Sequence, residues 1–334
     1  MPELGEEERR SLKEEISSLE IRLKDAKSQL SLRDDRIEST HTFDLGISRA
    51  ISSLPPDIGF ETLHMLLILS DSALPLGSFA FSSGLESYLA HQRLSNRATF
   101  ASNASNASNS SAFLHFLHLS LGSIASTTLP FVLTGHKHPD QLLCLDNDLD
   151  ASTPCTVARR ASVTQGRALL TLWERSFRRQ HVHSSPSKRD AGIDALESFQ
   201  VSLREAGRTD GRAPQPASAS AGPKEPAFVT MGPSAHMAPL FGVLTRVLGL
   251  PLRTAAYLYL FSHARTVTSA GVRAGALGPY QAQEILVGGA VSERIGRLID
   301  EGWDRRVEDA GQSVPAVDLW VGRHELLYSR IFNS

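Results

Sequence analysis

The chain has 334 residues, 41% hydrophobic and 21% charged, with a formal net charge of −2. That length can bury one sizeable core or two smaller ones, and the charge leaves no basic footprint for nucleic acid. Only Cys144 and Cys155 are present, which excludes a disulfide-stapled secreted scaffold.

Met1 to Arg10 is acidic and polar, so no secretory signal is expected. Residues 6–38 carry Leu12, Ile16, Leu19, Leu23, Ala26 and Leu30 at spacings of four and three amid dense Glu, Lys and Arg. This reads as an a/d stripe on a charged helical extension, too short for a sustained coiled coil. With the Pro55-Pro56 linker, residues 1–59 form one unit and 60–334 a second.

An apolar run, His64 to Leu69, is stopped by the turn-rich Asp71 to Ser78. Pro75 and Gly77 are expected to fix that turn. Ser83 with Glu86 fits a capping box opening a helix at Gly84 to His91. The Ala-Ser-Asn repeat at 101–109 has no apolar payload, so about 101–111 is expected to be a disordered loop. Its three sequons, at Asn103, Asn106 and Asn109, carry no meaning without a secretory route. Phe113, Leu117, Leu121 and Ile124 recur at helical spacing. Residues 135–155 read as an insertion, with Thr153-Pro154 opening the next helix, whose apolar face is Val157, Ala161, Thr164, Ala168 and Leu172. Arg178 to Pro226 is rich in Ser, Pro, Ala, Gly and charge. About 180–230 is therefore expected to loop away from the core, with one helix at Ile193 to Glu205.

Pro239 to Leu248 is helical by composition, with Gly249 as its stop and Pro251 opening the next helix. That helix turns Ala256, Leu260, Ala264, Val267 and Ala270 to one side. Gly278-Pro279 ends it, and Tyr280 to Asp300 is another. The longest apolar stretch, Ala238 to Ser262, contains Arg246, Pro251 and Arg253 and reads as core rather than a membrane span. Alternating β-branched runs are lacking. The expected fold is all-α: a single helical-bundle domain with an N-terminal helical extension and disordered insertions.

The sequence has no phosphate loop, no G-x-S-x-G elbow and no H-E-x-x-H, so no catalytic or cofactor-binding set is assigned. Three histidine pairs, His115/His118, His136/His138 and His181/His183, fall short of the three or four ligands of a tight metal site. No metal residues are assigned to the chain. The C-terminus is more informative. Chain ends are usually polar and expendable, yet Arg323-His324-Glu325-Leu326-Leu327-Tyr328-Ser329-Arg330-Ile331-Phe332 alternates arginines with aromatic residues, the types that anchor interfaces. Residues 318–334 are expected to form a partner-binding tail, against the alternative of a last helix docked on the core.

Five blocks, taken together, resemble the urease accessory protein UreF family. They are Leu66 to Glu86, with its Leu74-Pro75-Leu76-Gly77-Ser78-Phe79 and Gly84-Leu85-Glu86; Gln165 to Leu170; His236 through Phe241-Gly242 to Leu250; Tyr257 through Arg273 to Pro279; and the Arg323 to Phe332 ending. The insertions and the Gly278-Pro279 variant look eukaryotic, in keeping with a fungal member.

The resemblance implies an all-helical, non-catalytic, cytoplasmic protein that assembles with a UreD/UreH-type accessory protein and a UreG-type GTPase. That assembly delivers nickel to apo-urease. A homodimer is implied, and nickel is handled by the complex rather than held by this chain as a cofactor. On this reading Arg323, His324, Glu325, Tyr328, Arg330 and Phe332 contact the UreD/UreH-type partner, becoming ordered on binding. Arg273 contacts the GTPase or a second copy. Pro75, Gly77, Gly84 and Glu86 shape the turn and cap. Two other readings stand beside it: an activator of the partner GTPase through an arginine, and a direct nickel-binding metallochaperone.

Overall fold

The stripe expected on Ala256, Leu260, Ala264, Val267 and Ala270 is wholly buried and forms the axis of the computed structural model, which describes residues 59–98, 106–183, 190–209 and 232–333. The charged extension at 1–58 lies outside the described residues, as do 101–105 of the serine–asparagine repeat and 184–189 and 210–231 of the long insertion.

The helices, in order, are α1 (Phe60–Ser70), α2 (Leu85–Ala98), α3 (Asn106–Thr127), α4 (Leu129–Lys137), α5 (Leu142–Ser152), α6 (Thr156–Leu172), α7 (Arg178–His183), α8 (Ala191–Thr209), α9 (Met237–Val247), α10 (Leu252–Arg273), α11 (Pro279–Val287), α12 (Gly289–Gly302) and α13 (Pro315–Arg323). No strand occurs among the described residues; the fold is all-α. α10 is the hub, packing against α3, α4, α9, α11 and α12. The most extensive packing is between α4 and α9, whose backbones touch at two glycines. A Cβ on Gly242 would stand 2.2 Å from the Val132 carbonyl, and one on Gly135 would stand 2.8 Å from that of Pro239. No single described helix is long and apolar enough to cross a membrane.

Several sequence expectations change. Residues 135–155 are not a loose insertion: a 3₁₀ turn at Pro139–Gln141 and helix α5 bury Leu142, Leu145, Asp146 and Leu149. The polar look of this stretch is deceptive because Asp146 is answered from afar. Its carboxylate accepts the backbone N–H groups of Ser234, Ala235 and His236 at 2.7, 3.1 and 2.6 Å. Ala235 holds φ +71°, which aims three successive amides at one anion, a backbone nest. Next to it, Asp150 binds Arg159 through both oxygens and lies 2.8 Å from His236 Nε2, while Ser162 Oγ lies 3.0 Å from His236 Nδ1. The His236 block therefore meets Arg159 and Ser162 in one polar clamp, and the Gln165-Gly166 block reaches the same turn through Arg167, whose Nε donates to the Ser234 carbonyl at 3.3 Å.

α6 starts at Thr156, after Pro154, and buries Val157, Gly166, Leu169 and Leu170, leaving Thr164 exposed. α3 already begins at Asn106, inside the expected loop. Within the expected 180–230 insertion, α8 packs on α9 and buries Ile193, Leu196 and Phe199, and Arg178 on α7 bonds Glu197 at 2.7 Å. Tyr280 to Asp300 is two helices, α11 and α12, broken at Gly288.

Candidate functional site

The segment between α1 and α2 is shaped by backbone geometry. Asp71 Oδ1 accepts the Ala73 N–H at 2.9 Å, Pro75 is exposed, and Gly77 turns the chain at φ +69° into the 3₁₀ turn Ser78–Ala80. Ser83 and Gly84 follow with φ +53° and +87°. Gly84 is doubly constrained, since a Cβ there would lie 2.9 Å from the Val321 nitrogen of α13. A side chain at 84 would push the C-terminal helix away.

The predicted capping box does not form. Ser82, not Ser83, offers its Oγ to the Glu86 N–H, at 3.4 Å. Glu86 instead turns to the far end of the chain. Its Oε1 accepts the Ile331 N–H at 2.8 Å and its Oε2 the Phe332 N–H at 3.3 Å. A carboxylate receiving two main-chain donors makes strong, charge-assisted bonds. His324 is fully buried, with Nδ1 3.8 Å from Glu86 Oε2 and Nε2 3.0 Å from the Phe332 carbonyl. A carbonyl only accepts, so Nε2 carries the proton of that bond.

Phe332 is buried in turn, with the Arg273 guanidinium 4.4 Å above its ring, and Arg273 also donates to the Phe79 carbonyl. Burial draws the Arg273 pKa down from its ordinary value. Asn333 N–H closes onto the Ala80 carbonyl at 2.8 Å, and Arg160 pairs with Glu325 at 2.8 Å. Upstream, Trp320 of α13 meets the Tyr88 ring edge-on at 4.7 Å.

These contacts form a latch. The structure brings together six of the residues singled out from sequence: Gly84, Glu86, Arg273, His324, Glu325 and Phe332. Arg323, Tyr328 and Arg330 lie outside that inner set and are exposed, Tyr328 completely so. The tail is therefore already folded onto its own domain, which corrects the expectation that it becomes ordered only on binding. Sequence reasoning missed Arg160 and the Ala80 carbonyl, which carry no local signal. It also missed Leu319, Leu326 and Ile331, exposed apolar residues on this same segment whose outward facing no helical period announces.

Behind the latch lies a cavity of about 440 Å³, walled on one side by Val317 and Val321 of α13 and on others by Leu69, Phe81, Ile124, Ser120 and His263. Ser120 Oγ sits 2.7 Å from His263 Nε2, and burial lowers the His263 pKa to about 4, so this imidazole is neutral near pH 7. Ser120 lies within α3, whose own backbone amides are spent on the helix. His136 Nε2 is bound to the Leu250 carbonyl at 2.9 Å, and the side chains of His181 and His183 lie outside the described residues. Among the described residues no three of His, Cys, Asp and Glu gather as ligands.

Comparison with known proteins gives a family. The family model described as UreF matches residues 81–289, a span that takes in Gly84, Glu86, the Asp146–His236 clamp and Arg273. An uncharacterized urease accessory protein UreF-like chain of Schizosaccharomyces pombe is 33% identical over 271 residues, covering 81% of this chain and 97% of the relative. Urease accessory protein 6 of Cryptococcus neoformans var. grubii is 28% identical, covering 85% of this chain and all of the relative. Urease accessory protein F of Oryza sativa subsp. japonica is 29% identical, covering 79% of this chain and 82% of the relative. The family-model match over more than half of the chain and the 33% identity to a relative covered almost end to end agree: the chain belongs to the UreF family of urease accessory proteins.

Proposed function

We propose that this chain is a non-catalytic bridge, with its latch as the surface for a UreD/UreH-type accessory protein. A second face takes a UreG-type GTPase, and nickel passes to apo-urease within the assembly without being held as a cofactor by this chain. Membership of the UreF family supports a role in urease maturation; the bridge, its partners, a homodimer and a cytoplasmic setting are the proposal.

The observation that carries it is the division of the tail into an inner and an outer set. Glu86, His324 and Phe332 hold the segment to the core, while Leu319, Leu326, Tyr328 and Ile331 are exposed, with Arg323 and Arg330 among them. Tyrosine and arginine among exposed apolar side chains are the composition of binding hot spots. A segment held in place beforehand loses less conformational freedom on binding.

Co-expression with both partners, followed by size exclusion, tests the reading. The wild-type chain is expected to form one complex that activates nickel-free urease. The double variant Tyr328→Ala/Arg330→Ala is expected to lose the UreD/UreH-type subunit with its helical circular dichroism unchanged. Retention of that subunit by the double variant overturns the role of the tail. Failure of the wild-type chain to join both partners overturns the bridge.

A further inference from the structure

Helices α3 and α12 pack together and juxtapose four basic side chains. His115 and His118 stand three residues apart on α3, and Arg294 and Arg297 three apart on α12, so each pair shares one helix face. Arg294 reaches α3 one turn beyond His118, at Gly122; burial lowers the His118 pKa, and the charges of Arg294, Arg297 and His115 act in the same direction.

Neither arginine has a carboxylate within ion-pair distance among the described residues. Arg294 is also held in place: its Nε is buried without an acceptor, and a terminal nitrogen lies 3.6 Å from where a Gly122 Cβ would stand. Its guanidinium is thus seated against α3 rather than free in water, while Arg297 and His115 are exposed and leave the cluster open to solvent. Partly desolvated positive charge without a partner is unfavourable. An anion with two or more oxygens matches the planar donor fork of arginine.

We propose that Arg294, Arg297 and His118 form a binding site for a small oxyanion of the carboxylate or phosphate class. The arginines supply the charged N–H donors and the His118 ring a third polar contact. The site is independent of the bridging role and of the latch.

The test uses the full-length chain. It is titrated calorimetrically with sodium phosphate and, separately, sodium acetate, at fixed pH and with ionic strength made up by chloride. The histidine ring resonances are followed by NMR in parallel. Saturable binding that shifts the His118 ring signals is expected for at least one of the two anions. Binding of both indicates that a planar carboxylate suffices, and binding of phosphate alone assigns the phosphoryl class; either supports the site. Arg294→Gln and Arg297→Gln are each expected to weaken binding by about tenfold or more, the scale of one charge-assisted hydrogen bond. Arg253→Gln, which removes an arginine paired with Asp300 at 2.7 Å, is expected to leave binding unchanged. If Arg294→Gln does not fold, the exposed Arg297 supplies the decisive variant. No response of His118 to either anion beyond chloride, or equal binding by the Arg297→Gln chain, overturns the proposal.

Discussion

The carboxylate of Glu86 accepts the backbone N–H of Ile331 at 2.8 Å across 245 residues of sequence. One side chain at the start of α2 thereby fixes the end of the chain, and with it the direction in which the tail presents Tyr328 and Arg330. Glu86→Ala removes the acceptor of two main-chain donors. The cost is about 2 kcal/mol, the range for hydrogen bonds to a charged group, and it falls on the latch rather than on the α4–α9 core. Trypsin should cut at Arg323 and Arg330 markedly faster in the variant, while the main unfolding transition moves by only a few degrees. Equal cleavage rates in the two proteins would refute the latch.

The glycine contacts separate close approach from conformational freedom. A Cβ on Gly166 would lie 2.0 Å from the Ala235 carbonyl, whereas at Gly207 it would meet nothing within 4 Å. Gly166→Ala must push α6 away from the turn that presents three amides to Asp146, at a cost of about 3 kcal/mol or more, as for other overpacked interiors. Gly207→Ala, on the exposed side of α8, should stabilise by about 0.5–1 kcal/mol through helix propensity. Urea unfolding of both variants checks the pair. The same sign for both would mean that the contact at Gly166 relaxes freely.

What could be read from the sequence was what repeats locally. The small-residue stripe of α10 and the apolar face of α3 follow a 3.6-residue period, and all but one of their named residues are buried, the exception, Ile124, partly so. The misreadings share a different cause. Residues 135–155 read as an insertion, and no local signal corrects that, since the amides of 234–236 and the His236 ring that answer Asp146 and Asp150 lie more than 80 residues away. Glu86 looked like half of a capping box because its local spacing is right, while its bonds run to the other terminus. The tail looked like a free arm because nothing in an arginine- and aromatic-rich ending tells a buried His324 from an exposed Tyr328.

Two half-buried groups divide the acid side of the stability profile into separate windows. Burial lowers the His263 pKa to about 4. The unfolded chain therefore binds the extra proton first as pH falls, and stability is lost progressively between about pH 6.5 and 4. Asp150 acts lower. Burial opposes its charge, but the bonds from Arg159 and His236 outweigh that and hold its pKa below the ordinary 3.8. Its contribution is present above that value and is lost as pH falls through the folded pKa. His263→Gln should flatten the dependence of the denaturation midpoint on pH between 6.5 and 4, and Asp150→Asn only the part below about 4. A His263→Gln profile parallel to wild type would show that this imidazole is not held neutral by burial.

α1 is mostly apolar, yet only Leu69 is buried. Phe60 is 93% exposed, and Leu63 and Leu67 follow it at helical spacing on the same side, also exposed. An apolar helix face of this kind lowers its free energy by removing that area from water, at about 25 cal/mol per Å². The homodimer proposed above is expected to use this face, with a second copy of the chain covering it. Phe60→Glu with Leu67→Lys keeps helix-compatible residues and touches little of the core, so the fold should survive with its melting temperature nearly unchanged. Sedimentation equilibrium of the full-length chain should then show a dimer for wild type and a monomer for the double variant. Because each subunit contributes the same face in a two-fold dimer, the substitutions act twice per interface, and the dissociation constant should rise by well over an order of magnitude. A dimer that survives both substitutions would place self-association elsewhere and leave α1 to a different protein of the assembly.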